Sequence, residues 1–505
     1  MPDSAKPTDE RTPLPGLSTA KILRAIRHEL DAVIAPQLHN PREQMVLEMI
    51  HGLLAHLLVR EEQLPAQYAR YERRQAAELA TLVSALGVAP STTSQLDERI
   101  DTPSIELALE RTITAAIPRL ASLEPEQRAV AQQAIRSAVE REEELFTLAA
   151  AAELSLSASR TNRAQVDDGI DERKLTAYLR RRFGPAVQAD TVTALLGGAM
   201  KETFIAELSG ANRPAAAIVI RRDSSQVETG AANSSVTHEF ALLEAAFEQG
   251  LPVAEPLWLD ASDVFARPFL VSKRIAGSPT MNLHGRIVGA DPAQAAKGLA
   301  RTLAQIHRFD WSVLDGAREL ERMSLRQHVE RLLDIWETHW REHRVRPSPV
   351  FAAGFAWMKA NIPACEVTPV LVHGDVSLRN LLMHDGEITG MLDWEFWHIG
   401  DPAEDLAYCR ADVEQVMSWE EFLAEYRRHG GAEYDANAIK YYEIWPAVRI
   451  GAGCTAFAAQ VDDHPDETSA VAAFAATHHY GHFVQAAGRY LSGLNEFTSA
   501  AGHKP

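Results

Sequence analysis

The sequence VHGDVSLRN (372–380), followed by MLDWE (391–395), decides the fold of this chain. It places Asp375 five residues before Asn380, and Asp393 follows at the end of a short apolar run. Apolar segments flank the cluster, and charges beside buried strands are costly unless they are paired or bind a metal. One carboxylate that can face a hydroxyl and two oxygen ligands for Mg²⁺ are the groups that a phosphoryl-transfer site needs.

Asp375 is the predicted base of this cluster. A carboxylate at hydrogen-bond distance from a hydroxyl orients it and accepts its proton during phosphoryl transfer. Asn380 can offer its amide oxygen to Mg²⁺, and Asp393 can bridge the metal to nucleotide phosphates. An HGD triplet alone would be weak evidence, because such residues can also merely cap turns. The asparagine at the fifth position and the strand-terminal DWE together favour the phosphoryl-transfer site.

Length and composition narrow the classes of protein. A chain of 505 residues is too long for one hydrophobic core, so we expect two or three domains. A net charge of −19 disfavours nucleic acid as a partner, because phosphate backbones select basic surfaces. The three cysteines form no CxxC pair, no apolar run approaches the ~20 residues of a membrane span, and the N-terminus lacks a signal-peptide core. We therefore expect a cytoplasmic protein without a membrane partner.

The sequence of the first third of the chain predicts mainly helices. Residues 1–17 are rich in Pro, Asp and Thr and are predicted to be a disordered tail. Residues 18–155 carry apolar side chains at helical spacing without convincing strand patterns, which predicts an independent helical bundle domain. Residues 156–170 are rich in Ser, Asn and Asp, and we interpret them as a linker.

The pattern changes after this linker. Residues 171–275 combine short strand-like runs with two helical stretches. Residues 276–505 are mainly helical, apart from the HGD cluster and the strand that leads into Asp393. The patterning therefore predicts a small β-rich N-lobe followed by a larger helical C-lobe.

The segments HGDVSLRNLL and ITGMLDWEFWHIGDPAEDLAY resemble the aminoglycoside phosphotransferase/choline kinase family, small-molecule relatives of the protein kinases. The likeness extends from about residue 175 to the C-terminal helices and is densest at 370–410. It implies an α+β, two-lobed protein-kinase-like fold, here preceded by an all-α helical bundle. It also implies ATP or GTP as the phosphoryl donor and Mg²⁺ as a cofactor.

The resemblance assigns roles in the C-lobe. The aspartate of HGD, here Asp375, is the catalytic base in that family, and the residues matching Asn380 and Asp393 hold magnesium. Asp405, in GDPAEDLA (400–407), matches an acidic residue that braces the catalytic loop through backbone hydrogen bonds. A structural role in supporting the loop is therefore expected for Asp405 and for His373.

The resemblance also assigns roles in the N-lobe. Gly197 and Gly198 match a glycine-containing hairpin over the nucleotide, where glycine permits close backbone approach to phosphate. Arg221, or its neighbour Arg222, stands where the kinase strand has the basic residue that meets the phosphates, and Glu239 on the next helix is its expected partner. The alternative is two ordinary surface charges.

The predicted hinge between the lobes is FLVSKRIAG (269–277). Backbone groups from Lys273 to Ile275 are expected to read the adenine edge of the nucleotide. Two other motifs have weaker support. HWREH (339–343) fits an H-x-x-E-H zinc pattern but has no evident third ligand, and GAGCTA (451–456) fits G-x-G-x-x-A but follows a helical segment instead of a strand.

The acceptor is less constrained than the reaction. LDWEFWHIGDP (392–402) is most similar to the family branch fused to some acyl-CoA dehydrogenases, in which hydroxyacyl-CoA kinases are known. Residues 22–62 resemble a small helical protein that accompanies such kinases. We therefore favour a small metabolite such as a hydroxyacyl-CoA, with an aminoglycoside or other antibiotic as the alternative. A second alternative is a non-catalytic pseudokinase or scaffold.

The C-terminal helices determine acceptor specificity in that family. This chain offers six aromatic residues there, and we expect them to contribute to the acceptor site: Trp336, Trp340, Tyr441, Tyr442, Trp445 and Tyr480. An aminoglycoside site would need acidic side chains, but helical spacing predicts that most of the candidates face solvent: Glu404, Asp412, Glu414, Glu420 and Glu421. The N-terminal bundle is a candidate surface for a protein partner or for self-association.

Overall fold

The computed structural model covers the chain with gaps. It describes residues 19–38, 41–62, 65–87, 105–157, 170–195, 201–223, 235–262, 264–281, 291–344, 346–364, 366–463 and 479–494. The predicted tail at 1–17 and most of the predicted linker lie outside these residues. Among the helices that the structure describes, none is both long and apolar enough to cross a bilayer.

Five helices are described in the N-terminal region. They are α1 (Thr19–Glu29, extended by a π turn at Leu30–Ile34 and a 3₁₀ turn at Ala35–Gln37), α2 (Pro41–Glu62), α3 (Pro65–Leu86), α4 (Ile105–Ala116, followed by a 3₁₀ helix at Ile117–Ser122) and α5 (Pro125–Ser157). Helices α2, α3 and α5 each begin with proline, whose fixed φ and missing N–H suit the first helical position.

The N-lobe is a five-stranded antiparallel sheet with two helices. Its elements are α6 (Glu172–Phe183), β1 (Gln188–Leu195), β2 (Lys201–Ser209), β3 (Ala217–Asp223), α7 (Val236–Glu248), β4 (Pro256–Asp260) and β5 (Phe269–Lys273). The strand order is β1-β2-β3-β5-β4. This sheet and the helical C-lobe give the predicted two-lobed, kinase-like α+β fold.

The two faces of this sheet differ. Alternating side chains of β2 and β3, such as Phe204 and Ile220, are buried in a cluster with Leu179 of α6. The opposite face carries Val219 and Arg221 of β3, which keep a small exposed fraction. The register pairs Arg221 with Thr203 on β2 and with Leu270 on β5. Arg221 therefore projects from the sheet face opposite to α6.

The described part of the C-lobe contains nine helices and five short strands. The helices are α8 (Pro292–Ile306), α9 (Ala317–Leu320), α10 (Leu325–His343), α11 (Pro349–Ala360), α12 (Pro402–Val413), α13 (Trp419–Arg428), α14 (Ala436–Tyr442), α15 (Trp445–Asp463) and α16 (Tyr480–Gly493). The strands are β6 (Ser278–Pro279), β7 (Val370–Val372), β8 (Leu381–His384), β9 (Glu387–Met391) and β10 (His398–Gly400). Strand β8 pairs with β6 and β9, and β7 pairs with β10.

The N-terminal helices and the C-lobe share one hydrophobic core. Ile113 of α4 and Val139 of α5 belong to the same buried cluster as Phe351 of α11 and Val484 of α16. Small residues permit close approach at this boundary, since a Cβ at Gly488 of α16 would lie 2.7 Å from the Cβ of Glu143. The predicted division at 155 stays a prediction, but the bundle is not packed on itself alone.

Two buried carboxylates fasten this boundary. Glu110 of α4 accepts hydrogen bonds from Arg344 Nη2 at 3.1 Å and from the Ser348 backbone N–H at 3.2 Å. Glu142 of α5 accepts from Ser348 Oγ at 3.0 Å and from the Val350 N–H at 2.9 Å. Both acids therefore bind the turn between α10 and α11, and Glu142 lies at the positive N-terminus of α11.

Removing one of these acids should destabilise the protein strongly. Glu110→Ala deletes the carboxylate that Arg344 contacts in the interior, so we expect the free energy of unfolding to fall by about 3–5 kcal/mol. Glu414→Ala is the matched control because Glu414 is exposed and its partner Arg410, at 2.8 Å, is only partly buried, and such pairs contribute about 1 kcal/mol or less. Denaturant unfolding measures both. Equal losses would show that the buried pair does not fasten the boundary.

Candidate active site

The HGD loop follows directly from β7. It runs from His373 into a 3₁₀ turn at Leu378–Asn380, and β8 follows. Gly374 has φ +81°, and a Cβ there would lie 2.6 Å from the carbonyl oxygen of Phe396 and 2.9 Å from Arg449 Nη1. Glycine is required at this position by both conformation and space.

Asp405 holds the start of this loop. The side chain of Asp401 caps α12 by accepting the Ala403 N–H at 2.9 Å, which places Asp405 in the first turn of that helix. The Asp405 carboxylate accepts the backbone N–H groups of His373 at 2.8 Å and of Gly374 at 2.9 Å. Burial acts to raise the pKa of Asp405, but hydrogen bonds from His307 and His373 hold it below its usual value.

His373 joins this loop to the loop after β9. Its Nδ1 accepts the Asp375 N–H at 3.1 Å, and its Nε2 lies 2.9 Å from the carbonyl oxygen of Leu392. The two contacts require Nε2 to donate and Nδ1 to accept, which is the neutral ring. Burial favours the same form, because it lowers the pKa of His373. A neutral imidazole thus sets the spacing between Asp375 and Asp393.

Asp375 and Asn380 are in direct contact. Asn380 Nδ2 donates to the Asp375 backbone carbonyl at 2.8 Å and to Asp375 Oδ2 at 2.7 Å. With its nitrogen directed at Asp375, the amide presents its oxygen on the other side, where a metal ion can bind it. Burial raises the pKa of Asp375, against the hydrogen bond that Tyr408 donates to it.

Asp393 lies in a strained backbone conformation after β9. Its φ is +61°, which few residues other than glycine adopt, and such conformations concentrate at functional sites. The preceding N–H, of Leu392, donates to the carbonyl oxygen of Asn380 at 2.8 Å and so brings the two loops together. The Asp393 side chain remains 47% exposed, which leaves its carboxylate open to a ligand.

Arg221 connects the two lobes. Its Nη1 is hydrogen-bonded to the fully buried Glu239 of α7, and its Nη2 lies 3.2 Å from Asp393 Oδ1. Burial acts to lower the pKa of Arg221, but Glu239 and Asp393 hold it raised. Arg222 points to the other face of the sheet, where it binds Glu202 and the carbonyl oxygen of Phe265. The predicted Arg221–Glu239 pair is formed, and Arg222 takes no part in it.

The hinge leaves few backbone N–H groups that could bind a nucleotide base. The N–H of Lys273 donates to the Glu255 carbonyl at 2.8 Å, and that of Arg274 donates to the Ala217 carbonyl at 3.1 Å. A backbone N–H of this segment that reads a base must therefore lie at Ile275 or beyond. Residues 273–277 and 215–217 line a cleft of about 350 Å³. The predicted glycines, Gly197 and Gly198, lie outside the described residues.

Comparison with known proteins identifies this arrangement. Residues 191–440 match the model of the phosphotransferase enzyme family. This part of the chain belongs to that family. The matched region contains Arg221, Glu239, Asp375, Asn380, Asp393 and Asp405.

Two relatives of this chain are named as acyl-CoA dehydrogenase family members. Acyl-CoA dehydrogenase family member 11 of Rattus norvegicus is 27% identical over 250 residues, which are 47% of this chain and 31% of the relative. The Mus musculus protein of the same name is 29% identical over 251 residues, with the same coverage. The chain thus spans about a third of the length of these relatives.

Solved structures with lower identity are also similar. A macrolide 2′-phosphotransferase from Brachybacterium faecium is 20% identical and covers 59% of this chain and 97% of its own, with a TM-score of 0.41. A thermostable aminoglycoside phosphotransferase, solved with AMP-PNP and hygromycin B, is 18% identical and covers 64% of this chain and 100% of its own, with a TM-score of 0.42.

The sequence did not predict three side chains that contact the HGD loop or Asp405. Tyr408 of α12 donates its hydroxyl to Asp375, and Arg449 of α15 donates to the carbonyl oxygen of Gly374. His307, which follows α8 directly, lies 3.2 Å from Asp405. Only Tyr408 carried a signal, because it follows Asp405 by three residues and so lies on the same helix face. The other two come from helices distant in sequence.

The expectation that the C-terminal aromatic residues line the acceptor site is wrong. All six have exposed fractions of 7% or less and belong to the core: Trp336, Trp340, Tyr441, Tyr442, Trp445 and Tyr480. Trp340 stacks on Phe355, and Trp445 donates to the buried Glu404. Large aromatic side chains on helices fill a core as readily as they line a site.

The Gly374 position offers a test of how tightly the catalytic loop is held. Gly374→Ala combines a positive φ with close contacts, whereas Gly250→Ala has a similar φ, +78°, and no atom within 4 Å of the new Cβ. We expect Gly250→Ala to cost about 1–2 kcal/mol of unfolding free energy and Gly374→Ala to cost more. Denaturant unfolding compares the two. A smaller cost at Gly374 would contradict the packing described above.

Proposed function

We propose that this phosphotransferase transfers the γ-phosphoryl group of ATP, with Mg²⁺, to a hydroxyl group of a small metabolite. The observation that carries the proposal is the contact between Asp375 and Asn380, which turns the amide oxygen of Asn380 away from Asp375, while the Leu392 N–H joins the Asp393 segment to the Asn380 carbonyl. Arg221, bound to Glu239 and to Asp393, brings a cation from the N-lobe to the same place. These groups match what a phosphoryl-transfer site requires.

The oxygen ligands suit magnesium. Mg²⁺ binds through few carboxylates and keeps waters and phosphates as its other ligands. Asn380 Oδ1 and the half-exposed carboxylate of Asp393 would hold it. When bound, the metal neutralises charge on the phosphates. Burial and the Asp393 charge raise the pKa of the adjacent Glu395 to about 8, so a cation here would also favour its ionised form.

Asp375 would act on the acceptor. The acceptor oxygen attacks the γ-phosphorus, its proton passes to the Asp375 carboxylate, and ADP leaves with the electrons of the broken P–O bond. Arg221 would orient the phosphates, as a planar donor fork suits them. Asp405 and His373 would act only by holding the loop.

A hydroxyacyl-CoA is the acceptor we favour. The relatives carry the name of acyl-CoA dehydrogenase family members, which is the main support. Three of the acidic side chains that could bind a cationic aminoglycoside are instead buried, paired with an arginine or exposed. Glu404 is buried against Arg449 and Trp445, Glu414 pairs with Arg410, and Glu420 is exposed.

A turnover panel tests the reaction and its acceptor together. ADP formation is measured with and without Mg²⁺ over 3- and 4-hydroxyacyl-CoA thioesters, an aminoglycoside and a macrolide. We expect Mg²⁺-dependent turnover with a hydroxyacyl-CoA. Turnover with an antibiotic but with no hydroxyacyl-CoA would show that the acceptor is an antibiotic while the reaction is as proposed. Absence of nucleotide binding would contradict the enzyme assignment and favour a scaffold.

Two substitutions separate the base from the metal ligand. Asp375→Asn keeps the shape of the side chain but removes the proton acceptor, so kcat should fall by about 10²–10⁴-fold while nucleotide affinity is largely retained. Asp393→Asn should instead weaken Mg²⁺-dependent nucleotide binding. Steady-state kinetics and nucleotide titrations measure both. Full activity of Asp375→Asn would show that the base lies elsewhere.

A further inference from the structure

Arg379 is the residue of the HGD loop that is most open to solvent. Within residues 373–380, all of which the structure describes, Arg379 is exposed and Asp375 is partly buried, while the other six residues are buried. The predicted base and this arginine are therefore the two residues of the loop that a molecule in solution can reach. An acceptor that approaches Asp375 from solvent meets a surface that carries Arg379.

The charge of Arg379 is not neutralised by a partner. Among the residues that the structure describes, none forms an ion pair or a side-chain hydrogen bond with its guanidinium. Two arginines on helices next to this loop differ. Arg410 of α12 pairs with Glu414 and with Glu443, each at 2.8 Å, and buried Arg449 of α15 donates to the Gly374 carbonyl. Arg379 therefore keeps its N–H donors for a ligand.

Arg379 also lies within electrostatic range of the contact between Tyr408 and Asp375. Burial holds the pKa of Tyr408 well above its ordinary value, and the charge of Arg379 acts to lower it. The Tyr408 hydroxyl donates to Asp375 Oδ1, whereas Asn380, the predicted metal ligand, donates to Oδ2 at 2.7 Å. Because Coulomb interactions weaken with distance, Arg379 lies near the donor to Oδ1. The predicted base thus has an unpaired cation close to it.

We propose that Arg379 binds an anionic group of the acceptor, a phosphate or a carboxylate, and so selects acidic acceptors over cationic ones. The inference rests on the proposed function, because it assigns a residue to the acceptor of the same reaction. It names a chemical class, since the phosphates of a CoA thioester fit such a site and a cationic aminoglycoside is repelled by it.

The charge of the whole chain supports a specific role for this arginine. With a net charge of −19, the protein repels an anionic substrate at long range. An unpaired guanidinium beside the base offsets this repulsion where the acceptor binds. Its planar fork of donors also suits the oxygens of a phosphate or a carboxylate.

The test compares Arg379→Gln with the wild type over three acceptors that share one hydroxyacyl group. These are the CoA thioester, the uncharged N-acetylcysteamine thioester and the free hydroxy acid. We expect kcat/KM for an anionic acceptor to fall about tenfold or more, mainly through KM, because a charge-assisted contact is lost. The uncharged thioester and the KM for MgATP should be unaffected. Arg379→Lys should recover part of the loss, and Arg410→Gln, at a paired arginine, is the matched control.

The outcomes distinguish the anionic group and the possible errors. A loss with the CoA thioester assigns Arg379 to a phosphate, and a loss with the free acid assigns it to a carboxylate. An equal loss with the uncharged thioester, a raised KM for MgATP or unchanged kinetics overturns the inference while the reaction stands. Turnover with a cationic antibiotic alone overturns it as well.

A binding measurement decides the inference if the wild type shows no Mg²⁺-dependent turnover and the proposed function fails. The wild type and Arg379→Gln are then titrated calorimetrically with CoA and with the free hydroxy acid. Weaker binding of either by the variant supports an anion site at Arg379. Unchanged binding of both, or no binding by the wild type, overturns it.

Discussion

The site depends on the hydrogen bonds that the buried carboxylate of Asp405 accepts. This carboxylate accepts two successive N–H groups, those of His373 and Gly374, and so fixes the HGD loop to the N-terminus of α12. His373 then contacts the Asp375 N–H on one side and the Leu392 carbonyl on the other. One buried charge therefore positions both the base and the segment that carries Asp393. It is stabilised where the helix dipole and His307 offset the cost of burial.

The sequence predicted the parts of this site that are close together in the chain. Asp375, Asn380, Asp393 and Asp405 have fixed spacing in one stretch, and oxygen chemistry restricts what such a set can do. Long-range packing was not predictable. Arg449 contacts the HGD loop from a helix that is distant in sequence. The pairing register of β3 is what shows that Arg221, and not Arg222, lies on the sheet face that meets Glu239.

The N-terminal helices illustrate the same limit at larger scale. Their apolar spacing predicted helices, and helices are present, but spacing does not state which surface covers an apolar face. In the structure α4 and α5 cover α11 and α16 of the C-lobe, and buried Glu110 and Glu142 bind the turn before α11. The bundle is therefore coupled to the lobe that carries the catalytic loop.

We propose that Asn380 and Asp393 form a metal-dependent nucleotide site. Calorimetric titration of the full chain with AMP-PNP, in Mg²⁺ and again in EDTA, tests it most directly. We expect saturable binding of one nucleotide per chain in Mg²⁺ and binding weakened by about tenfold or more in EDTA. Equal affinity in both buffers, or no binding in either, would contradict it.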